Sequence, residues 1–248
     1  MTIWEAKKEQ LKSIKNRSFK EQLSYLWDYY GIKAICLLLA LITLIAFIVT
    51  LVTKKDYALT GVFFGAQPQA STETYLQDFS RSAGIDLDDY ELSIQCHPNI
   101  HMDQQITQDI YSSMETFTAM VASQSVDCFA GNPELFLYYA YMEYAADLRT
   151  VLDPEELEQL SPYLHYIDGA LIRQQESANG GLTDAYFQRT DSTRPELMTD
   201  PIPVGISVDA ANDAFRKYYP FEEDGVIGIC ASAPYPENAA AFLRYCLN

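Results

Sequence analysis

The sequence lacks the short signatures that mark common enzyme chemistries. It contains no Gly-x-Ser-x-Gly elbow, no Walker phosphate loop and no Gly-x-Gly-x-x-Gly turn, which removes the usual routes to an activated serine, a bound nucleoside triphosphate or a dinucleotide. Histidine is scarce: His97, His101 and His165 are the only three, so a His-dependent nucleophilic triad has little to work with. His97 and His101 flank Pro98 in His97-Pro-Asn-Ile-His101-Met-Asp103. The proline disfavours the helical i, i+4 pair that suits zinc, and neither a metal nor another cofactor is expected. The paired carboxylates Asp88-Asp89, Glu155-Glu156 and Glu222-Glu223-Asp224 read as solvated faces and helix starts rather than a glycosidase pair. The expectation is therefore a protein that is not an enzyme. Low-complexity runs and internal repeats are missing too, which excludes a disordered stalk or a solenoid.

Positive charge is also in short supply beyond residue 55. Residues 1–55 hold nine Lys and Arg against four Asp and Glu, a net +5, whereas residues 56–248 hold eight against thirty, a net −22. The division falls at Ala34 to Thr53, twenty residues without a charge, bracketed by Lys33 and Lys54-Lys55. A helix of this length spans about 30 Å, the thickness of a bilayer core, and Thr43, Thr50 and Thr53 can bond back to their own helix. The basic flank predicts a cytoplasmic N-terminus and an extracellular C-terminal domain on a single-pass cell-membrane protein. No Ala-x-Ala-like cleavage site and no lipid-attachable cysteine follows the run, which favours an uncleaved anchor. The organisation expected is thus 1–32, a cytoplasmic basic amphipathic helix; 33–55, the anchor; and 56–248, an extracytoplasmic domain. Its acidity excludes nucleic acid as a partner.

Outside the anchor, apolar runs alternate with helical patterns. Tyr57 to Phe64, Tyr90 to Cys96 and Val126 to Ala130 read as strands, and Ser71 to Ala83, 103–123 and Glu134 to Ala146 as helices. Pro133 suits a first helical position, Gly84 a helix end, and Asp153-Pro154 opens a short helix ending near Leu160. Ser161 to Ile172 is expected to pass toward a second lobe. Pro203 to Val208 and Gly225 to Cys230 are two more strands, and Pro236 to Leu247 a closing helix. This βαβαβα order predicts an α/β fold, a mostly parallel sheet with helices on both faces. Cys96, Cys128, Cys230 and Cys246 permit disulfides, but the first three sit in strand-like apolar runs where a free thiol behaves as a small hydrophobe.

Two passages resemble a known family. Val126-Asp127-Cys-Phe with the following helix to Ala146-Asp147-Leu148-Arg149, and Pro203 to Ser207, Gly225 to Ile229, Ser232 and the helix Glu237 to Leu247, resemble bacterial extracellular solute-binding proteins of the periplasmic-binding-protein type. The front end, Tyr29-Tyr30 before the anchor and Lys55-Asp56-Tyr57 after it, is similar to small membrane proteins of Gram-positive anaerobes that carry such a domain. The resemblance implies a periplasmic-binding-like fold and a solute, a sugar, amino acid or cation, handled with an ABC-type transporter or by a sensor. The chain departs from the family in having roughly half the usual length, a reduced second lobe and a spanning anchor in place of a lipobox.

In such a sheet ligands meet the loops at the carboxyl ends of strands. The candidates are Gly65, Ala66 and Gln67 after the first strand, His97 and Asn99 after the second, and Gly131, Asn132 and Glu134 after the third, with Asp168 completing a cleft between lobes. The run Leu135-Phe-Leu-Tyr138-Tyr139-Ala-Tyr141-Met-Glu-Tyr144 offers either stacking on a sugar or core packing. The alternative function is a structural or interaction module that keeps the fold and holds a partner protein. An assembled cleft around Gln67, Asn132 and Asp168 favours solute binding; a packed or absent one favours the interaction role.

Overall fold

The structure, a computed structural model, describes residues 19–98, 100, 108–177, 182–221 and 224–247. It divides into two compact units, Met1–Lys54 and Lys55–Asn248. In the first, helix α1 (Phe19–Thr53) runs 35 residues without a break at the expected boundary of 32 and 33. Its stretch Gly31–Thr50, twenty residues of mean hydropathy 2.9, is long and apolar enough to cross a membrane. The Thr43 and Thr50 hydroxyls donate to the carbonyls of Leu39 and Ala46, one turn back, so neither needs water. Residues 1–18 of the expected basic helix lie outside the described residues.

The second unit is built on one six-stranded sheet. Its strands are β1 (Asp56–Phe64), β2 (Tyr90–His97), β3 (Cys128–Gly131), β4 (Leu164–Asp168), β5 (Pro201–Ser207) and β6 (Val226–Ile229), in the order β2-β1-β3-β6-β5-β4. The helices are α2 (Thr72–Ala83), α3 (Gln108–Ala122), α4 (Pro133–Tyr141), α5 (Pro154–Leu160), α6 (Gly169–Ser177), α7 (Leu182–Phe187), α8 (Asp213–Tyr218) and α9 (Pro236–Leu247). Successive side chains of β1 point to opposite faces, and both faces are apolar: Leu59 and Phe63 pack with α2, α8 and α9, while Val62 and Phe64 pack with α3 and α4. Phe63 sits edge-on to Phe215 and Tyr219, and Phe64 edge-on to Phe117. Two cores thus sandwich the sheet, as a βα alternation requires.

The expected parallel arrangement holds for β2, β1 and β3 and gives way beyond them. Strand β6 joins β3 antiparallel, and β5 and β4 follow antiparallel in turn. No reduced second lobe forms among the described residues. Val204, Ile206, Val226 and Ile227 are buried on both sheet faces, so β5 and β6 extend the same sheet. Residues 161–172, expected to lead to a second lobe, supply edge strand β4 and the start of α6 instead.

Helix α4 also ends earlier than the sequence suggests. Glu143 takes φ 62°, and Ala146 N–H and Tyr144 C=O then bond the backbone of Ile229 and Ala231, so 144–146 lie extended beside the end of β6. The unsatisfied edge of a four-residue strand outcompetes another helical turn. Other local signals hold: Pro133 opens α4, Gly84 closes α2 at φ 69°, and the Glu156 carboxylate accepts the Asp153 N–H at 2.8 Å at the start of α5. Phe136 of α4 lies against Gly205 and Gly228, where an added Cβ would come within 2.6 and 2.7 Å of its ring. The described cysteines carry free thiols, three of the four in the second unit buried.

Candidate functional site

Register fixes which candidates meet. The parallel strands end together, Phe64 beside His97, and Gly131 pairs with Val226, which pairs with Ser207. That edge therefore gathers Gly65, Ala66, Gln67, His97, Gly131, Asn132 and Glu134, as the sequence led us to expect. Asp168 is not there. It pairs with Pro201 at the far end of the β4–β5 hairpin, whose near end is Leu164 opposite Ile206, roughly 13 Å away at 3.3 Å per residue. The Asp168 carboxylate accepts the N–H groups of Ala170, Asp200 and Thr199 at 3.0, 3.0 and 2.9 Å. Burial alone would raise its pKa, but these three donors and Arg173 hold it below the usual carboxylate value. Its role is to fasten the start of α6 to the hairpin.

The residues at the shared edge are largely engaged with the protein itself. Gly65 adopts φ 77°, a left-handed conformation that favours glycine, and donates its N–H to the His97 carbonyl at 2.9 Å. The chain then runs against 218–221: Ala66 pairs with Phe221, Gln67 N–H bonds the Pro220 carbonyl at 2.9 Å, and Gln69 N–H bonds the Tyr218 carbonyl at 3.0 Å. Gly131 is the last residue of β3, and a Cβ there would make only ordinary contacts of 3.6 Å or more. Asn132 caps α4, its Oδ1 accepting the Leu135 N–H at 3.0 Å, and is buried. Glu134 is exposed and faces Arg189 at 3.7 Å, whose guanidinium lies 3.9 Å over the Tyr186 ring.

His97, His165, Tyr139 and Tyr141 are likewise structural. The His97 ring stacks on Phe64 at 5.5 Å, and burial lowers its pKa. His165 Nδ1 and Ser192 Oγ are 2.9 Å apart in a buried site, and burial lowers that imidazole's pKa against the pull of Asp191 and Asp224. Asn99, His101 and Asp103 lie outside the described residues. Among the described residues no group of three or more His, Cys, Asp or Glu is placed to hold a metal ion. Tyr139 is wedged among Phe64, Phe117, Phe129 and Tyr144, and Tyr141 is buried with its hydroxyl accepting the Asp168 N–H at 3.2 Å. These tyrosines build the core and present no platform for a sugar.

Sequence reasoning also missed the concavities of the domain. One, of about 310 Å³, lies at the same sheet edge and is lined by Asp209, Arg216, Tyr219, Phe221, Asp224 and their neighbours; Arg216 is already paired with Asp213 at 2.7 Å. The turn Pro220-Phe221 and the Asp224-Gly225 pair were its only sequence signal. Another, of about 400 Å³, runs between α2 and the start of β2. Comparison with protein-family models, with curated proteins and with solved structures finds no match to this chain.

Proposed function

We propose that this protein is a single-pass cell-membrane protein whose C-terminal domain stands outside the cytoplasm and acts by holding a partner protein, not by trapping a solute. The basic N-terminal flank and the acidic remainder support the orientation. One observation carries the choice of role: the candidate residues at the edge where a solute would sit spend their polar groups on the chain itself. The Gln67 and Gln69 N–H groups are spent on Pro220 and Tyr218, Asn132 is spent on its helix cap, and Asp168 belongs to the opposite edge. The test is a thermal-shift panel on the full chain in nanodiscs against sugars, amino acids, polyamines and divalent cations, with photo-crosslinkers placed at exposed positions of the second unit in native membranes. No shift above about 1 °C and a discrete protein adduct are expected. A saturable shift with any solute, growing as a native-state ligand demands, overturns the reading.

The hollow beside Asp209 and Asp224 favours a second reading, a small cationic solute at the carboxyl edge of the sheet. Asp224→Asn would then abolish the shift.

A further inference from the structure

The two edges of the sheet are finished differently. Strand β4 is largely buried, and a crossing segment closes its outer side: the Tyr166 N–H donates to the Ser192 carbonyl at 2.8 Å. Strand β2 has eight residues, none buried, and pairs only with β1 among the described residues. It contains no proline or lysine, and Glu91 is its one carboxylate, so it carries few of the devices that usually protect an edge. Every second residue turns its N–H and C=O outward, a ready template for another strand.

Beside this edge lies the groove of about 400 Å³, floored by Leu76, Leu87, Tyr90 and Leu92 and rimmed by Glu73 and Glu91. It adjoins a second hollow of about 330 Å³ that shares Gln77 and Leu87 and adds Asp86 and Asp88. Arg81 is paired with Asp78 at 2.6 Å, and Lys55, whose Nζ donates to the Leu87 carbonyl at 2.6 Å, sets one positive charge against the carboxylates of Glu73, Glu91, Asp86 and Asp88. The rim is therefore net acidic over an apolar floor. A second copy of this domain, itself acidic, would be repelled.

We infer that the β2 edge takes an extended segment of a partner protein as an added strand. That segment turns every second side chain, apolar, into the groove between α2 and β2, places Lys or Arg on the other face opposite Glu91, and carries basic residues at its ends that meet Glu73, Asp86 and Asp88 around the groove. This rests on the interaction reading above and names the surface and the chemistry of the partner.

The experiment uses the full chain in nanodiscs and a ten-residue peptide alternating Lys and Val. Binding is followed by fluorescence anisotropy and by hydrogen exchange. Saturable binding with slowed exchange across 90–97 is expected. Methylating alternate backbone nitrogens of the peptide should abolish it, and a Glu73→Lys, Glu91→Lys double variant should weaken it at least tenfold; both residues are surface carboxylates, so the fold is retained. No binding, equal binding of the methylated peptide, equal binding by the double variant, or protection elsewhere than β2 overturns the inference. So does a dimer paired through β2 in sedimentation. If the crosslinked partner adduct persists while the β2 edge stays idle, the interaction role stands and only this surface falls.

Discussion

Asp127 offers the sharpest check on how the sheet is held. Its side chain is wholly buried at the start of β3, and its two oxygens accept the Thr60 N–H of β1 at 2.7 Å and the Tyr235 N–H beyond β6 at 2.8 Å. Its own backbone N–H donates to Thr60 and its carbonyl accepts from Cys230. One residue thus fastens three segments. Replacing it with Ala leaves two buried N–H groups unpaired at about 1–3 kcal/mol each. The expected loss is about 4 kcal/mol, or about 12 °C in Tm for a domain of this size. Asp127→Asn keeps one acceptor and turns a donor toward the other N–H, so it should cost about half as much. Burial raises the Asp127 pKa despite both hydrogen bonds. The folded state therefore holds its proton more tightly than the unfolded chain, and the stability this confers is present below the ordinary carboxylate range and lost as pH rises through the raised value. The deficit of the Asn variant should be larger at pH 4 than at pH 7. Denaturant titrations followed by near-ultraviolet dichroism of the buried tyrosines read all three numbers. An Ala variant within about 1 kcal/mol of the parent would refute the reasoning.

Other outcomes follow from the same geometry. Gly228→Ala brings a Cβ to 2.6 Å from the Val204 carbonyl and 2.7 Å from the Phe136 ring, and should lower stability by about 1–3 kcal/mol in the same titrations. Among the described residues the buried Tyr139 and Tyr219 hydroxyls have no hydrogen-bond partner, so Tyr139→Phe should leave Tm unchanged or raise it by a few degrees; a clear fall would reveal a hidden partner. Burial pushes the Cys96 thiol up to about 12 and raises those of Cys128, Cys230 and Cys246 as well; the native domain should resist maleimide at pH 8 until denaturant is added, and rapid labelling would contradict the packing. For topology, an impermeant maleimide on intact protoplasts should label a cysteine placed at Asp88 and not one placed at Lys20, and the reverse pattern would invert the orientation.

Much of this architecture was legible because it is local. Pro133, Gly84 and Asp153 act within one turn of helix, and the apolar runs of β1, β3 and β6 are buried on both faces, so each announces itself over a few residues. Strand β4 did not, since Leu164-His-Tyr-Ile-Asp168 mixes a histidine and a carboxylate whose partners, Ser192 and the 199–200 backbone, come later in the chain. Periodicity carries no information about which strand lies alongside, so the change from parallel to antiparallel beyond β3 was invisible. The candidate site failed for the same reason. Gly65, Gln67 and Asn132 were placed on the right edge by the βα rule, yet whether Gln67 greets a ligand or the Pro220 carbonyl is decided by a segment about 150 residues away.

The position of β6 sets a timetable for folding. It lies between β3 and β5 although it is the last strand among the described residues, so a chain emerging from its N-terminus holds β2-β1-β3 and the β4–β5 hairpin as separate pieces until residues 226–229 arrive. Asn238 Nδ2 then bonds the Ala58 carbonyl at 2.8 Å and ties α9 back to the first strand. During synthesis each half exposes a raw central edge that the other cannot cover, and the domain is vulnerable to proteases and to pairing with neighbours for as long as translation of its second half lasts. A premature stop between Ser207 and Val226 would leave two fragments of sheet with no strand to join them.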